Sequence, residues 1–322
     1  MPTLDQRTSN SARSCLSAAA FVACAQAALA QQPPAKLAAA APADSASAPQ
    51  QLAPVQVLGN YQNAVGTTDA ASAGTVTSKL LESRPTLRPA EVLEFVPGVI
   101  VTQHSGDGKA NQYFLRGFNL DHGTDFATFV DEMPINMRTH AHGQGYTDLN
   151  FVIPELVKSI AYKKGPYYAE EGDFASAGAA HMSLFNSLPR GIATVTVGEN
   201  NYQRAVLAAS TRLGPGNLLY GLELAHNDGP WDNPEKFRKA SGVLRYSVGP
   251  EDNRYSVTAM AYSAKWNSTD QIPQRAVDSG LIGQFGAIDP TDGGESARYS
   301  LSFDWKRRTD NAIFQFNAYA MQ

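Results

Sequence analysis

Alternating polarity from residue 191 onward is the feature that most constrains the fold of this chain. The clearest segment carries apolar side chains on one face, Ala297, Tyr299, Leu301, Phe303 and Trp305, and polar ones on the other, Arg298, Ser300, Ser302, Asp304 and Lys306. Runs of about ten such residues are typical of membrane-spanning β-strands. A soluble sandwich also alternates, but its apolar face is more often aliphatic than rich in aromatic rings. The pattern therefore favours antiparallel transmembrane strands.

The joints between these segments point to the same architecture. Seven strands are predicted, at about 191–198, 202–212, 217–226, 237–248, 254–266, 295–307 and 311–321. Tight joints at 214–216, 249–252 and 308–310 alternate with longer loops at 227–236 and 267–294, and a short loop lies at 199–202. Short periplasmic turns that alternate with longer extracellular loops are typical of an outer-membrane β-barrel. We therefore expect residues 189–322 to form the first part of such a barrel.

The first 30 residues have the composition of a signal peptide. Arg7 and Arg13 precede an uncharged run that ends in Ala28-Leu29-Ala30, the small residues that a signal peptidase requires. A lipoprotein signal that ends at Cys24 is the alternative. Because both cysteines, Cys15 and Cys24, lie in this segment, the mature chain has no thiol for disulfides, metal sites or nucleophilic catalysis. No later stretch is long and apolar enough for a spanning helix.

Residues 31–60 are predicted to be a disordered tether that carries one short strand-forming segment. The tether consists largely of Ala, Pro, Gln and Ser, and such a composition does not offset the entropy of ordering. The segment Val55, Gln56, Val57 and Leu58 alternates in polarity but has no hydrophobic face of its own to bury. Such a strand is suited to adding to the sheet edge of another protein. An ordinary first strand of the next domain is the alternative.

Residues 61–188 mix short strands and helices, which predicts an α+β domain. Predicted elements include a helix at 90–95, strands at 99–101, 113–116 and 126–130, a second helix from Pro154 through Ile160, and a last strand at 180–185. Four motifs occur in order: L-E-F-V-P-G-V at 93–99, L-R-G at 115–117, V-D-x-x-P at 130–134 and K-G-P at 164–166. Together they resemble the plug domain of TonB-dependent outer-membrane receptors. Glu132 departs from the family, which usually has Gly at this position.

The resemblance implies the fold, the partners and the roles of particular residues. The fold class is an α+β plug followed by an incomplete barrel of about seven strands, where a plugged transporter has about 22; we therefore expect a truncated chain. In the family, the segment Val55–Leu58 pairs with TonB of the inner-membrane energising complex. The loop after V-D-x-x-P faces outward and contacts ligand, so the expected ligand-binding residues are His104, His140, His142 and Tyr146. The expected structural residues of the plug are Arg116, Gly117, Asp131, Glu155, Gly165 and Pro166, with Arg116 paired to Glu155 or Asp131.

The implied function is energy-coupled uptake of a scarce small ligand, most often a ferric siderophore or another metal complex, across the outer membrane of a Gram-negative bacterium. His140 and His142 form a His-x-His pair that suits Zn, Cu or Ni, and the alternative is that these histidines are hydrogen-bonded loop anchors. A passive porin and a free-metal receptor are the alternative functions. A metal hydrolase would need further ligands downstream, so no catalytic residue and no cofactor are predicted. The 26 basic and 30 acidic residues leave no basic patch for nucleic acid.

Overall fold

The computed structural model describes residues 72–103 and 106–322. Three predictions lie outside the described residues: the signal peptide at 1–30, the tether at 31–60 with Val55–Leu58, and the ligand-binding role of His104. No helix in the described part of the chain has the length and apolarity to cross a membrane.

The first domain is built around a five-stranded mixed sheet and a smaller three-stranded sheet. The eight strands are β1 (Ala73–Thr77), β2 (Val99–Thr102), β3 (Gln112–Leu115), β4 (Phe118–Asn119), β5 (Phe126–Val130), β6 (Met133–Pro134), β7 (Val157–Lys164) and β8 (Gly178–Leu184). The large sheet has the order β1-β7-β8-β5-β6, with β5 parallel to β8 and the other pairs antiparallel. The small sheet has the order β2-β3-β4. Short helices span Ser78–Leu81, Pro89–Phe95, Pro154–Leu156 and Ala169–Glu171.

The helix predicted from Pro154 through Ile160 is wrong beyond its first turn. A 3₁₀ turn covers Pro154–Leu156, and Val157 already begins β7. The buried side chains of β7 are Val157, Ile160, Tyr162 and Lys164, with a register shift between Val157 and Ser159. That bulge gives the buried positions a spacing of three at the start of the strand, which resembles a helical pattern in the sequence.

Two motifs of the sequence form tight hairpin turns with left-handed backbone conformations. Arg116 and Gly117 connect β3 to β4, with φ of 51° and 82°. Asp131 and Glu132 connect β5 to β6, with φ of 46° and 64°. Two-residue hairpins with positive φ at both central residues match the twist of the strands. Glu132 adopts this conformation without the Gly that the resembled family usually has.

The seven predicted strands of the second part are confirmed. They form one antiparallel sheet in sequence order, β9 (Ile192–Val197), β10 (Gln203–Leu213), β11 (Gly216–Asn227), β12 (Phe237–Val248), β13 (Asn253–Asn267), β14 (Gly293–Arg308) and β15 (Ile313–Met321). A short helix, Gln274–Asp278, lies in the longest loop. The tight joints at 214–215, 249–252 and 309–312 lie at one end of this sheet, and the short loop at 198–202 lies with the longer loops at 228–236 and 268–292 at the other.

The covered face of the sheet carries many polar side chains among its apolar ones, whereas the exposed face carries large apolar side chains. In β12 the covered positions include Lys239, Ser241 and Arg245, whereas Leu244 on the other face is 51% exposed. Ser300 and Ser302 of β14 are buried, whereas Leu301 is 55% exposed. This arrangement is the reverse of a soluble core and matches the lipid-facing and interior faces of a membrane barrel.

The covered face packs against the first domain through a continuous hydrophobic cluster. Leu156 and Ile153 contribute from the first domain, and Leu219 and Val243 contribute from the sheet. A Cβ added at Gly221 of β11 would lie 2.7 Å from Cδ1 of Leu156. The missing side chain at Gly221 therefore lets the 3₁₀ turn at 154–156 approach the sheet closely.

Candidate functional site

A histidine-bearing loop projects from the first domain beside the long loops of the sheet. Residues 138–145, here called the apical loop, are closed by a bridge between Met137 and Tyr146. The Met137 N–H donates to the Tyr146 carbonyl at 3.0 Å, and the Gly145 N–H donates to the Met137 carbonyl at 2.7 Å. The closed base positions His140 and His142 as exposed side chains.

Three of the predicted ligand-binding residues are in mutual contact. The His140 ring stacks on the Tyr146 ring, with centroids 3.9 Å apart and an interplanar angle of 8°. The backbone N–H of His142 donates to Nδ1 of His140 at 3.1 Å. The structure thus brings His140, His142 and Tyr146 together, as the sequence predicts, while their binding of a ligand stays a prediction.

The same cluster contains two residues that the sequence reasoning did not select, Asp121 and His122. His122 is buried, and its Nδ1 lies 2.9 Å from the Asn111 carbonyl oxygen. Its ring meets the His142 ring edge-on, with centroids 4.4 Å apart. Asp121 Oδ1 lies 3.9 Å from His122 Nε2. The adjacent pair Asp121-His122 was the available signal in the sequence, but a single Asp-His pair is too common to indicate a site.

The pKa values of His140 and Tyr146 are both shifted in the direction that favours the uncharged side chain. Burial lowers the pKa of His140, and the neighbouring His142 lowers it further. Burial raises the pKa of Tyr146 to about 12, although its oxygen accepts a hydrogen bond from the Ala110 N–H at 2.9 Å. His140 is therefore a neutral imidazole at neutral pH, and Tyr146 is a neutral phenol.

A cavity of about 370 Å³ separates the apical loop from the longest loop of the sheet. His140 and Tyr146 line one side, and Trp266 lies at the end of β13 on the other side. Four carboxylates also line the cavity: Asp148, Asp270, Asp292 and Glu295. Burial raises the pKa of Asp148 to about 6. The combination of imidazole, phenol, indole and carboxylate groups suits a cationic or metal-containing ligand.

The sequence of residues 67–179 matches the family model described as TonB-dependent Receptor Plug Domain. Residues 67–179 are a TonB-dependent receptor plug domain. The family resemblance of the four sequence motifs is thereby confirmed.

Three of the solved receptor structures share the fold of the plug and of the strands that follow it. The copper transporter OprC matches with a TM-score of 0.57 and 18% identity over 79% of this chain. The siderophore receptor PiuA from Acinetobacter baumannii matches with a TM-score of 0.57 and 18% identity over 78% of this chain. The ferric yersiniabactin uptake receptor FyuA from Yersinia pestis matches with a TM-score of 0.61 and 17% identity over 78% of this chain. This chain spans 37%, 36% and 40% of the lengths of those three chains.

The plug carboxylates expected to pair with Arg116 pair instead with arginines of the sheet. Arg116 is exposed in the β3–β4 turn, so the predicted pairing is wrong. Glu155 accepts two hydrogen bonds from Arg204 of β10, at 2.6 and 2.9 Å. Asp131 Oδ2 accepts from Nη1 of Arg245 in β12 at 2.5 Å, and its Oδ1 accepts from the Leu184 N–H at 3.1 Å. These two pairs attach the plug to the sheet.

The K-G-P motif at 164–166 forms the turn that ends β7, and a second charged cluster lies nearby. Gly165 has a φ of 92°, and its N–H donates to the Ala177 carbonyl at 2.7 Å. This turn precedes Pro166. Nearby, His181 Nε2 lies 2.6 Å from Glu171 Oε2 and Nδ1 lies 3.1 Å from Glu132 Oε2. Sequence reasoning missed this cluster because its members are 10 and 49 residues apart.

Proposed function

We propose that this chain is part of a Gram-negative outer-membrane receptor that takes up a scarce ligand, a ferric siderophore or another metal complex, by energy-coupled transport. The observation that carries the proposal is the placement of the apical loop. It lies at the long-loop end of a sheet whose apolar face is exposed and whose polar face covers the plug. A ligand that arrives from outside the cell would meet the exposed His140 and His142 first, with Tyr146 packed against His140.

The neighbours support a metal-containing cargo. OprC is named as a copper transporter, PiuA as a siderophore receptor and FyuA as a ferric yersiniabactin uptake receptor. All three share the fold at less than 20% identity, so the chemistry of the apical cavity must carry the assignment in this chain. Imidazole and carboxylate side chains are common ligands of first-row metals. Within this proposal His104, outside the described residues, belongs to the same ligand-binding set.

The proposed domain organisation follows from the same reasoning. A signal peptide at 1–30 directs export, a tether at 31–60 presents Val55–Leu58 to TonB, the plug covers 61–188, and the first barrel strands cover 189–322. The outer membrane has no ATP supply, so work on the plug must come from the inner-membrane energising complex. Within this proposal Asp131 and Glu155 hold the plug to the sheet, and Arg116, Gly117, Gly165 and Pro166 shape its turns.

A passive porin is the alternative function. The two ion pairs of Asp131 and Glu155 with sheet arginines argue against it, because a plug held to the sheet by charge pairs obstructs diffusion. Receptors of this family are transporters, and an enzymatic activity has no support in the site. A free-metal receptor is a narrower form of the proposal, favoured by the grouping of Asp121, His122 and His142.

Site-specific cross-linking in cells tests the coupling step. Because both native cysteines lie at positions 15 and 24, a Val57→Cys variant carries one thiol after signal cleavage. We expect it to form a disulfide with a cysteine placed in the periplasmic domain of TonB, and to do so more efficiently when ligand is present. Ala39→Cys, also in the tether, is the matched control. Equal cross-linking of the two variants would argue against a TonB-binding segment at 55–58.

A further inference from the structure

The cluster at the apical loop contains a set of three ligand atoms that the His-x-His pair alone does not provide. Asp121, His122 and His142 each offer one atom, and these atoms all lie within 4.8 Å of one another. His122 is buried, Asp121 is half-buried and His142 is exposed. The set therefore has a fixed inner ligand and an adaptable outer one.

The hydrogen bond of His122 prepares its other nitrogen for coordination. A carbonyl oxygen can only accept, so the contact of 2.9 Å between Nδ1 and the Asn111 carbonyl places the proton of the neutral ring on Nδ1. The lone pair then lies on Nε2, the nitrogen nearest Asp121. The Asn111 side chain is itself held by the Thr102 carbonyl and Gln103 Oε1, at 3.2 and 2.8 Å. Metal-binding histidines commonly donate their second N–H to a carbonyl in this way.

The spacing is close to that of a metal site. A cation equidistant from three atoms that are 4.8 Å apart lies about 2.8 Å from each of them. Each ligand atom must therefore move about 0.7 Å closer to the cation to reach the bond lengths of Zn–N and Zn–O. The distance of 3.9 Å between Asp121 Oδ1 and His122 Nε2 is nearer still to the separation of about 3.3 Å in a tetrahedral site. His142, on the exposed apical loop, can supply the remaining movement.

We propose that Asp121, His122 and His142 form a three-ligand site for a first-row divalent cation such as Zn²⁺, with a coordination position left for water or for a donor atom of a chelator. Two imidazoles and a carboxylate suit Zn, Ni, Co or Fe(II) rather than Mg or Ca. His140 supports the site from outside it: its Nδ1 accepts the His142 N–H, and its ring packs on Tyr146. The inference deepens the proposed function, since the role of the cation as cargo rests on it.

Equilibrium binding of Zn²⁺ to the purified full chain in detergent micelles, measured by titration calorimetry, tests the site. We expect micromolar or tighter binding that weakens at least ten-fold in His142→Ala and in Asp121→Asn. Asn tolerates the left-handed backbone at position 121, where φ is 51°, so this variant keeps the turn. Thr139→Ala is the matched control, because Thr139 is an exposed residue of the same loop outside the ligand set, and it should leave the affinity for Zn²⁺ unchanged.

X-ray absorption of the Zn²⁺-loaded chain gives a second readout, with two imidazoles expected in the coordination shell. Unchanged affinity in both His142→Ala and Asp121→Asn would overturn the site, and so would a loss in Thr139→Ala as large as in His142→Ala. The titration needs no energising partner. A failure of Zn²⁺ binding is therefore distinguishable from a failure of TonB-coupled uptake, which would leave the titration unaffected.

Discussion

Arg204 of β10 holds Glu155 of the plug through two parallel hydrogen bonds, from Nη1 at 2.6 Å and from Nη2 at 2.9 Å. The Nε–H of the same guanidinium donates to Glu223 of β11 at 2.7 Å. Glu223 in turn contacts Nζ of Lys239 in β12 at 2.8 Å. Three adjacent strands thus orient one arginine toward the plug, and bidentate arginine–carboxylate pairs are among the strong charge-assisted contacts.

Removing the Glu155 carboxylate should loosen the plug. Glu155→Ala leaves the half-buried Arg204 without its plug partner but still bonded to Glu223, so we expect a loss of about 2 kcal/mol, which is typical of hydrogen bonds to a charged group. The measurement is the free energy of unfolding from urea titration in micelles. Lys158→Ala is the matched control, since its contact of 3.7 Å with Glu251 joins two exposed side chains. That control should cost less than about 1 kcal/mol. Equal losses in the two variants would contradict a special role for the Arg204 pair.

Gly108 should be intolerant of a side chain because Trp266 lies directly over it. A Cβ added at Gly108 would lie 1.9 Å from Cε3 of the Trp266 indole. Gly108→Ala should therefore displace the indole and shift tryptophan emission to longer wavelength. Gly117→Ala is the control, because no atom lies within 4 Å of a Cβ there. It should leave the emission unchanged while its φ of 82° costs about 1 kcal/mol of stability. An unchanged spectrum in Gly108→Ala would refute the contact.

His181 should make the stability of the plug depend on pH above neutrality. Burial alone lowers its pKa, but hydrogen bonds and charge from Glu132 and Glu171 outweigh it and raise the pKa above 6.5. A raised pKa means that this contribution is fully present below 6.5 and is lost as pH rises through the folded-state value. Urea midpoints from about pH 6 to about pH 9 should therefore fall in the native chain and fall less in His181→Gln. Parallel profiles for the two proteins would be the contrary result.

Glu235 should give a pH dependence of the same sign as His181, over a lower pH interval. It lies in the 228–236 loop, where Trp231 Nε1 and the Asp107 N–H donate to its two oxygens at 3.0 and 3.4 Å. Burial, and next the Asp107 charge, raise its pKa from 4.5 to about 7. The folded chain then binds more protons than the unfolded chain between these values, so stability falls as pH rises from about 4.5 to about 7. Glu235→Gln should flatten urea midpoints over that interval; a profile like that of the native chain would count against the shift.

The strands of the sheet were predictable because their signal is local. Alternation within β14 and the short joints at 214–216 and 249–252 depend on neighbouring residues, so one sequence suffices. The helix predicted from Pro154 through Ile160 failed at the bulge of β7, where the spacing of Val157 and Ile160 imitates a helical turn. A bulge is set by pairing with β8, and that pairing is not visible in the segment itself.

The apical loop was predictable in part for the same reason. His140, His142 and Tyr146 lie within one segment of seven residues, and the V-D-x-x-P motif that precedes it indicates a ligand-contacting loop. The membership of Asp121 and His122 depends on how the chain returns through β5 and β6, and the partners of Glu155 and Asp131 lie 49 and 114 residues away. Charge pairs over such distances are settled by the packed fold and not by spacing in the sequence.

Accumulation of labelled cargo by cells tests the proposed function most directly. Cells that produce the receptor of which this chain is part would be given ⁶⁵Zn²⁺ and a ⁵⁵Fe-labelled siderophore, in strains with and without TonB and with the Val57→Pro variant. The account predicts that at least one cargo accumulates only with TonB and native Val57, while binding of that cargo to the cell surface is the same in all strains. Equal accumulation of both cargoes with and without TonB would contradict energy-coupled uptake and favour a passive channel.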